Sequence, residues 1–402
     1  MKLLHIIATM DPASGGPCQG IRNSNPEILR LGINREVVSL DDPNAPFIGS
    51  DDFVIHALGP SKGLWQYAPK LKPWLMANLA RFDAVVINGL WIYPSYAGWK
   101  AMKELKRIAK KNRGVNVPRF FVMPHGMLDP YFQRAPDRKF KAVRNWLYWK
   151  IFERKVVNDA DGLLFTCEKE LELARQTFSN YNPKREFNVG YGILPPPVYS
   201  EVMNQEFIKK CPEVADKSYL IFLSRIHPKK GVDLLIKAYA VVVNECLRQN
   251  KPYPLLVIAG PGIKSAFGLS IQKLVASYPE LKHQVFFPGM LTGAAKWGAL
   301  YKSEAFILPS HQENFGIAVV EALACGKPVL ITDQVNIYKE VEQGKGGIIG
   351  NDKLDGIFDI LTTWVNLPQA EQEQMGKFAI EVYLNKFQIG PASVAFKDAI
   401  SI

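Results

Sequence analysis

The sequence predicts an α/β protein with parallel sheets that is divided between two domains. Apolar runs of strand length alternate with helical patterns along the chain, which is typical of βαβ units. The chain has 402 residues, more than one ordinary core accommodates. A Pro-rich segment at 193–198, with the sequence ILPPPV, interrupts the alternation and is the predicted linker.

Composition indicates a globular enzyme, with 48% hydrophobic and 22% charged residues. No apolar run approaches the roughly 18 residues that span a bilayer. The opening MKLLHIIATMDP lacks a small-residue cleavage site, so we interpret it as a first strand rather than a signal peptide. The five cysteines are odd in number and without C-x-x-C pairs, which favours free thiols in a reducing cytoplasm. We expect no bound metal and no cofactor.

The positive charge is concentrated in one part of the sequence. The net charge is +11, and residues 100–155 contain 16 Lys and Arg against 4 Asp and Glu, a local net of +12. No nucleic-acid-binding motif accompanies this segment, so we expect no nucleic-acid partner. An anionic membrane surface or an acidic glycan fits the charge better.

In the first domain, strands are predicted at 2–8, 36–40, 53–58, 84–88, 120–123 and 162–166. The turn after the first strand contains Gly15 and Gly16, followed by Pro17 and a helix predicted over 21–31. These glycines let a ligand approach the backbone closely, although an ordinary strand-to-helix turn would also explain them. The G-x-G-x-x-G dinucleotide motif is absent, which weakens a dehydrogenase interpretation.

Two later strand ends in this domain carry side chains that suit a sugar. Asn88 could hydrogen-bond to a sugar acceptor and Trp91 could stack on it, although partly buried packing explains Trp91 equally well. His125 follows the strand 120–123 in a polar turn. Ligands of open parallel sheets bind at these carboxyl ends.

The segment 138–155 interleaves cations with aromatic residues. Phe140, Val143, Leu147 and Ile151 form one helical stripe, which we expect to be core. The remaining aromatics and cations suit either a membrane interface or a solvated basic helix. Asp159-Ala160-Asp161 matches the metal-binding D-x-D pattern but precedes its strand, so we do not interpret it as a metal site.

In the second domain, strands are predicted at 219–223, 255–259, 285–288, 305–309 and 329–332. The turn after the first of them contains Arg225 and Lys230, which together predict an anion clamp at a strand-to-helix turn. The next two strands end in loops that contain Gly262 and Met290-Leu291.

The segment 311–328 carries two carboxylates around a helix start. Glu313 lies in the loop and Glu321 lies within the helix that follows. Open backbone amides over 314–317 would attract an anion at the helix N-terminus. Carboxylates accept hydrogen bonds from vicinal hydroxyls, so the combination favours a sugar nucleotide over a solvated loop and an exposed helical Glu.

These motifs resemble those of the family 4 glycosyltransferases of the GT-B fold, of the type that assembles bacterial exopolysaccharides and other glycans. The segment E-N-F-G-I-A-V-V-E-A-L-A-C-G-K-P-V contains Glu313 and Glu321 at the spacing of the E-x7-E signature. Arg225 and Lys230-Gly231 match R-x4-K-G. The resemblance implies two Rossmann-like domains facing each other across a cleft. It implies an acceptor-side domain over 1–192, with a returning helix at 388–402, and a donor-binding domain over 199–387.

The resemblance also implies roles for individual residues. Glu313, Lys230, Arg225 and His125 would be catalytic, with the two cations on the donor diphosphate and His125 beside the donor sugar. Donor-binding residues would be Gly15, Gly16, Gly262, Met290, Leu291, Asn314, Phe315, Gly316, Ile317 and Glu321. Acceptor contacts are expected from Asn88, Trp91, Arg134 and Arg138.

The function implied is retaining, metal-independent transfer of a hexose or hexuronic acid from a UDP-sugar to a glycan or lipid-linked acceptor. A cytoplasmic location is expected, with 138–155 as a candidate peripheral contact with the membrane. Two alternatives stay open. One is an epimerase or phosphorylase of the same fold, and the other is a non-catalytic module that binds nucleotide sugars.

Overall fold

The computed structural model describes residues 1–135 and 138–402. The chain divides into two compact units. Residues 1–194 together with 389–402 form unit 1, and residues 195–388 form unit 2. Each unit contains one sheet whose strands all pair in parallel.

Unit 1 contains a seven-stranded sheet with the strand order β3-β2-β1-β4-β5-β6-β7. Its central strands are buried along almost their whole length, which is why they appear in the sequence as continuous apolar runs. The strands are β1 (Lys2–Ile6), β2 (Asn34–Ser39), β3 (Val54–Ala57), β4 (Ala84–Asn88), β5 (Arg119–Met123), β6 (Gly162–Phe165) and β7 (Glu186–Asn188).

Helices α1 to α7 also belong to unit 1. They are α1 (Gly16–Arg30), α2 (Leu71–Asn78), α3 (Tyr93–Lys111), α4 (Tyr131–Arg134), α5 (Lys139–Tyr148), α6 (Arg154–Asp159) and α7 (Glu168–Ala174). Helix α1 begins at Gly16, five residues before the predicted start. The prediction followed the first apolar residue of the periodic pattern, whereas Pro17 in the first turn suits an earlier start.

Unit 2 contains a six-stranded sheet with the strand order β10-β9-β8-β11-β12-β13. The strands are β8 (Tyr219–Leu223), β9 (Leu255–Ala259), β10 (Val285–Gly289), β11 (Ala305–Leu308), β12 (Val329–Thr332) and β13 (Gly347–Gly350). The helices are α8 (Glu201–Ile208), α9 (Val232–Arg248), α10 (Ala266–Ala276), α11 (Gly293–Lys302), α12 (Ile317–Ala324), α13 (Tyr338–Gln343), α14 (Leu354–Asn366) and α15 (Gln369–Lys386).

The last helix, α16 (Ile389–Ser401), belongs to unit 1 although it follows unit 2 in the sequence. Phe396 and Ile400 of this helix share a buried cluster with Leu3 of β1 and Ile28 of α1. The core of unit 1 is therefore completed by a segment distant in sequence.

The segment after residue 138 corrects one prediction. Phe140 is 94% exposed and Val143 is 60% exposed, and Leu147 and Ile151 are also exposed, so the stripe expected in the core faces outward. The buried side chains of this segment are Asn145, Trp149 and Glu153 instead. A π-helical turn over Trp149–Glu153 joins α5 to α6 and keeps Trp149 and Glu153 on the buried side. Periodicity identifies an apolar face but not the direction in which it points.

Within the described residues, no helix combines the length and apolar character needed to cross a membrane.

Candidate functional site

The order of the strands in unit 2 directs attention to the turns after β8 and β11. The strand order reverses between these two neighbours, and open α/β sheets bind ligands at such a switch point. The turn after β8 contains Arg225 and Lys230, and the loop after β11 contains Glu313. The His311 amide donates to the Lys229 carbonyl oxygen over 2.9 Å, which holds the two segments together.

Lys230 and Glu313 form an ion pair at this point. The Lys230 residue is only 5% exposed, so its ammonium group is fixed rather than mobile in solvent. Burial by itself would raise the pKa of Glu313, but the charge and hydrogen bond of Lys230, the charge of Lys229 and the Asn314 amide together lower it. Glu313 is therefore an anion that is held as a pure hydrogen-bond acceptor.

Arg225 differs from Lys230 because its side chain is exposed and has no hydrogen-bond or ion-pair partner among the described residues. Lys230 ends a short 3₁₀ turn, Pro228–Lys230, and Gly231 follows in the left-handed region with φ of 65°. A Cβ atom at Gly231 would collide with the Pro309 carbonyl oxygen, so only glycine lets the two loops approach this closely. Of the two predicted clamp residues, Lys230 is thus fixed by its partner, whereas Arg225 is exposed.

The loop after β11 ends at the N-terminus of α12. Gly316 precedes this helix with φ of 78°, and the Gly316 and Ile317 amides have no acceptor among the residues that the structure describes. Main-chain bonds hold the loop, since Glu313 donates to Gln334 and accepts from Asn336. Free amides at a helix start attract negative charge, so this loop and the turn of Arg225 can act on one anion.

Glu321 lies within α12 and forms an ion pair of 2.7 Å with Lys296 of α11. The side chains of both residues are mostly buried. The ammonium group of Lys296 also lies 4.1 Å from the centre of the Trp297 ring. Sequence analysis did not select Lys296, because nothing in its own segment indicates a pairing across 25 residues.

The remaining predicted donor-binding residues differ in whether the side chain or only the backbone is accessible to a ligand. Met290 is 61% exposed, whereas Leu291 is buried. The Phe315 side chain is buried too and packs edge-on against Phe387, so only the backbone of Phe315 could contact a ligand. A Cβ atom at Gly262 would lie 2.7 Å from the Ile226 carbonyl oxygen, so this glycine is needed where its loop meets the turn of Arg225. Asn314 lies beside Asn336 in the loop.

In unit 1 the strand order reverses between β1 and β4. Gly15 and Gly16 follow β1, and α1 begins at Gly16. Gly15 has φ of 84°, which favours glycine, while a Cβ atom at either position would meet no atom within 4 Å. Packing therefore does not explain Gly16. Its carbonyl oxygen accepts from the Tyr191 hydroxyl over 2.7 Å, so the amide side of its backbone is the side that a ligand could approach.

The turns after β4 and β5 are joined by hydrogen bonds between three side chains. The Asn88 amide nitrogen donates to His5 Nδ1 over 3.0 Å and to the Val86 carbonyl, which fixes the orientation of the amide. Asn88 Oδ1 then accepts from His125 Nε2 over 3.1 Å. Burial lowers the pKa of His125 to about 4, so the ring is neutral and its Nδ1 is an acceptor.

This arrangement points to a role for Asn88 other than the predicted contact with an acceptor. Asn88 is 5% exposed, and the nitrogen and oxygen of its side-chain amide both form hydrogen bonds within unit 1. The structure therefore does not support a direct contact between Asn88 and an acceptor. Asn88 orients His125 instead, and His5 in turn orients Asn88. Sequence analysis missed His5 because it appears there only as a polar residue within an apolar strand.

Trp91 forms hydrogen bonds and ring contacts within unit 1. These contacts favour partly buried packing of its ring over stacking on a sugar acceptor. Its indole Nε1 donates to the Met127 carbonyl over 3.2 Å, and the ring packs against Phe178. Its backbone amide donates to the buried carboxyl of Glu153, which also accepts from the Ser95 hydroxyl. Burial raises the pKa of Glu153 to about 7, although both hydrogen bonds act in the opposite direction.

The two predicted acceptor cations lie on either side of residues 136–137, which fall outside the described residues. The side chain of Arg134 is exposed at the end of α4. Arg138 lies over the Phe132 ring at 4.9 Å.

In the D-x-D segment, Asp159 accepts from the Trp99 indole and Asp161 pairs with Lys184. No group of three or more potential metal ligands occurs in residues 1–135 and 138–402.

Solved structures share this architecture over the whole chain. Sucrose-phosphate synthase from Thermosynechococcus elongatus superimposes with a TM-score of 0.73 and 17% identity, covering 100% of this chain and 98% of the other. Anabaena HepE, solved in complex with UDP and glucose, gives a TM-score of 0.73 with 15% identity, and coverage of 100% and 99%. Likenesses at this identity establish the fold, and they confirm the predicted GT-B class.

Curated relatives match over shorter stretches. D-inositol 3-phosphate glycosyltransferases are 28% identical over 243 residues in Kribbella flavida and 26% identical over 210 residues in Jonesia denitrificans. These alignments cover 57% and 50% of this chain, and 54% and 48% of those relatives. The chain thus spans about half the length of these two relatives.

Two family profiles match consecutive parts of the chain. Residues 15–187 match the glycosyl transferase 4-like domain, and residues 203–382 match the glycosyl transferases group 1. The first range contains the glycine turn and His125, and the second contains the Arg225 turn and both carboxylates of the E-x7-E segment. The chain therefore belongs to the family 4 glycosyltransferases of the GT-B fold.

Proposed function

We propose that this chain is a retaining, metal-independent glycosyltransferase that moves a hexose or hexuronic acid from a nucleotide sugar to a sugar hydroxyl. Unit 2 would bind the donor and unit 1 would serve the acceptor. The observation that carries the proposal is the turn after β8, where the free cation Arg225 adjoins the buried pair of Lys230 and Glu313.

The difficult step of such a transfer is the departure of a nucleoside diphosphate that carries negative charge. Arg225, Lys230 and the amides of Gly316 and Ile317, which belong to unit 2, would stabilise that charge. Removing one preorganised donor of this kind typically costs about 3–4 kcal/mol, or at least roughly a hundredfold in rate. Several such groups together can take the place of a divalent ion.

Each remaining residue of the site takes a role that suits its chemistry. Glu313 accepts hydrogen bonds from hydroxyls of the donor sugar, and Glu321 accepts from the ribose diol. His125 orients the donor sugar through its unprotonated Nδ1, and the Gly15-Gly16 backbone approaches the diphosphate. Asn314, Phe315, Gly262 and Met290-Leu291 contribute backbone and surface along the nucleotide.

Retention is proposed from the family to which the chain belongs, and the state of Glu313 bears only on how retention would be achieved. Lys230 and the Asn314 amide engage its carboxylate and lower its pKa, which makes it a poor covalent nucleophile. We therefore favour attack by the acceptor on the face from which the diphosphate leaves, without a glycosyl-enzyme intermediate.

A UDP-linked donor is the first choice. The HepE structures that share this fold hold UDP or UDP-glucose. A glucuronyl donor is the alternative, because Arg134 or Arg138 could reach a carboxylate at C6. The acceptor would be a growing exopolysaccharide or a lipid-linked oligosaccharide.

The exposed apolar stripe of α5 and the π-helical turn supports a peripheral contact between segment 138–155 and the membrane. Phe140, Val143, Leu147 and Ile151 face outward among the cations of this segment. Apolar side chains flanked by Lys and Arg suit the interface of an anionic bilayer. The enzyme would act in the cytoplasm at the inner face of the plasma membrane, in polysaccharide biosynthesis.

The decisive experiment measures UDP release from UDP-glucose and UDP-glucuronate, with and without candidate acceptors and with and without chelator. Acceptor-dependent release that survives chelator is expected. Loss of activity with chelator would refute the metal-independent mechanism. A new sugar nucleotide formed without acceptor would indicate an epimerase, and UDP binding without turnover would indicate a binding module.

A further inference from the structure

A basic pocket lies on the side of α3 in unit 1, apart from the turns described above. It encloses a cavity of about 420 Å³. The cations that line it are Lys103, Lys106, Arg107 and Lys110 of α3 and Lys184, which precedes β7. Its apolar lining includes Trp99, Met102 and Phe120. We call these residues the basic pocket.

One carboxylate, Asp159, also lines this pocket, so the lining carries five cations against one anion. Asp161 pairs with Lys184 at 2.8 Å and with Lys106 at 3.7 Å, and Asp159 accepts from the Trp99 indole. Arg107 and Lys110 form no ion pair with any residue that the structure describes, and both are exposed. At least two positive charges at the pocket therefore lack a carboxylate partner.

The spacing of these cations is unfavourable for the helix itself. Positions 103, 106, 107 and 110 lie three or four residues apart, so like charges are neighbours on one face of α3. A solvated basic face would be the ordinary explanation for such a run. The concave shape, the aromatic lining and the added cation of Lys184 point to a bound anion instead, because an anion would relieve the repulsion.

The position of the pocket favours a lipid as the source of that anion. The Trp99 ring packs against Tyr96 at 5.9 Å, and Tyr96 packs against Phe152 at 5.1 Å. Phe152 belongs to the π-helical turn that adjoins α5, where the exposed apolar stripe lies. Continuous aromatic packing thus links the pocket to the proposed membrane contact.

We infer that the basic pocket binds the phosphate-bearing headgroup of an anionic membrane lipid. The cations would bind the phosphate, and the alkyl parts of their side chains, with the small exposed part of Trp99, would contact its apolar attachment. The choice of a lipid as the source of the anion rests on the membrane contact of segment 138–155 that belongs to the proposed function. The pocket would then set the orientation of unit 1 at the bilayer and would add to the affinity of unit 1 for the bilayer.

The test compares two double variants that each remove two positive charges near the end of α3. Arg107→Gln with Lys110→Gln changes the pocket. Lys111→Gln with Arg113→Gln is the control, since both residues are exposed and lie outside it. Binding is measured to phosphatidylcholine vesicles with phosphatidic acid, and to vesicles of equal surface charge with phosphatidylserine.

The pocket variant should lose about a hundredfold in binding to phosphatidic acid vesicles, because it loses two charge-assisted contacts with the phosphate in addition to the general attraction to the surface. The control should lose clearly less, and the wild-type protein should prefer phosphatidic acid to phosphatidylserine. Equal losses in both variants would overturn the inference in favour of diffuse electrostatic attraction. Saturation of the pocket by glycerol 3-phosphate without any vesicle binding would overturn the lipid assignment.

Two further measurements separate this inference from the proposed function. UDP release without vesicles should match the wild-type rate in both double variants, whatever their lipid binding. Phe140→Gln with Leu147→Gln should weaken vesicle binding but leave glycerol 3-phosphate binding intact. Unchanged vesicle binding in that variant would refute the membrane contact, and the glycerol 3-phosphate titration would still test the pocket.

Discussion

Replacing Lys230 by Met tests the proposed mechanism most directly. The ammonium group is nearly buried and bound to Glu313, so the substitution removes a fixed positive charge with little change in side-chain volume. If Lys230 stabilises the departing diphosphate, kcat should fall by roughly a hundredfold to a thousandfold, which corresponds to about 3–4 kcal/mol. The donor KM should change much less.

The same substitution also affects stability, and the pH dependence shows why. Breaking a buried pair from one side costs about 3–5 kcal/mol, because the partner charge is left uncompensated. In the wild type the pKa of Glu313 is lowered, so the pair stabilises the fold above about pH 4.5 and this stabilisation is lost as the pH falls through the lowered pKa. The stability difference between wild type and Lys230→Met should therefore shrink in acid.

Adding Glu313→Gln separates catalysis from stability. The double variant has no unpaired charge, so its free energy of unfolding, measured by urea titration, should recover most of the loss. UDP release should stay low although stability recovers, because the cation is still absent and the donor sugar has also lost the Glu313 carboxylate. Lys296→Met is the matched control, since it breaks the mostly buried Lys–Glu pair between α11 and α12 and should act mainly on the donor KM. Wild-type kcat in a folded Lys230→Met protein would remove Lys230 from the mechanism.

Three further predictions follow from the two units. Glu321→Ala should raise the donor KM with little effect on kcat, because ribose contacts are alike in the ground and transition states; steady-state kinetics would show this, and a selective fall in kcat would contradict it. Asn88→Leu should lower kcat by roughly a hundredfold through misplacement of His125. Nitrogen-15 NMR should find Nε2 protonated in the wild type and mixed tautomers in the variant, whereas an unaltered His125 spectrum would refute the positioning role. Glu153→Gln should stabilise unit 1 above neutral pH, because the raised pKa of about 7 costs the wild type about 3 kcal/mol between pH 4.5 and 7. Thermal unfolding at pH 5 and pH 8 should show the gain at pH 8 only.

The strands and the turns that follow them could be predicted from the sequence. A buried parallel strand such as β9 is a continuous apolar run with all five residues buried, so its position is evident. Since ligands of parallel sheets bind at the carboxyl ends, the turn of Arg225 and the loop of Glu313 followed from the strand positions. Local spacing was sufficient in both places.

Contacts between distant segments could not be predicted in the same way. Lys230 and Glu313 are 83 residues apart, and no local pattern indicates that they pair. His5 aligns Asn88 through a bond across 83 residues. The stripe of Phe140 was assigned to the core because an apolar face is usually buried, and only tertiary packing shows that Trp149 takes that place.

The route of the chain through unit 1 has a consequence for biosynthesis. Helix α16 supplies Phe396 and Ile400 to the cluster around Leu3, yet the ribosome makes it only after all of unit 2. Unit 2 is one uninterrupted stretch, so it can fold while translation continues. We expect nascent unit 1 to wait with an uncovered apolar patch around Leu3 and Ile28 until α16 emerges, which makes it the half that needs chaperone protection during synthesis.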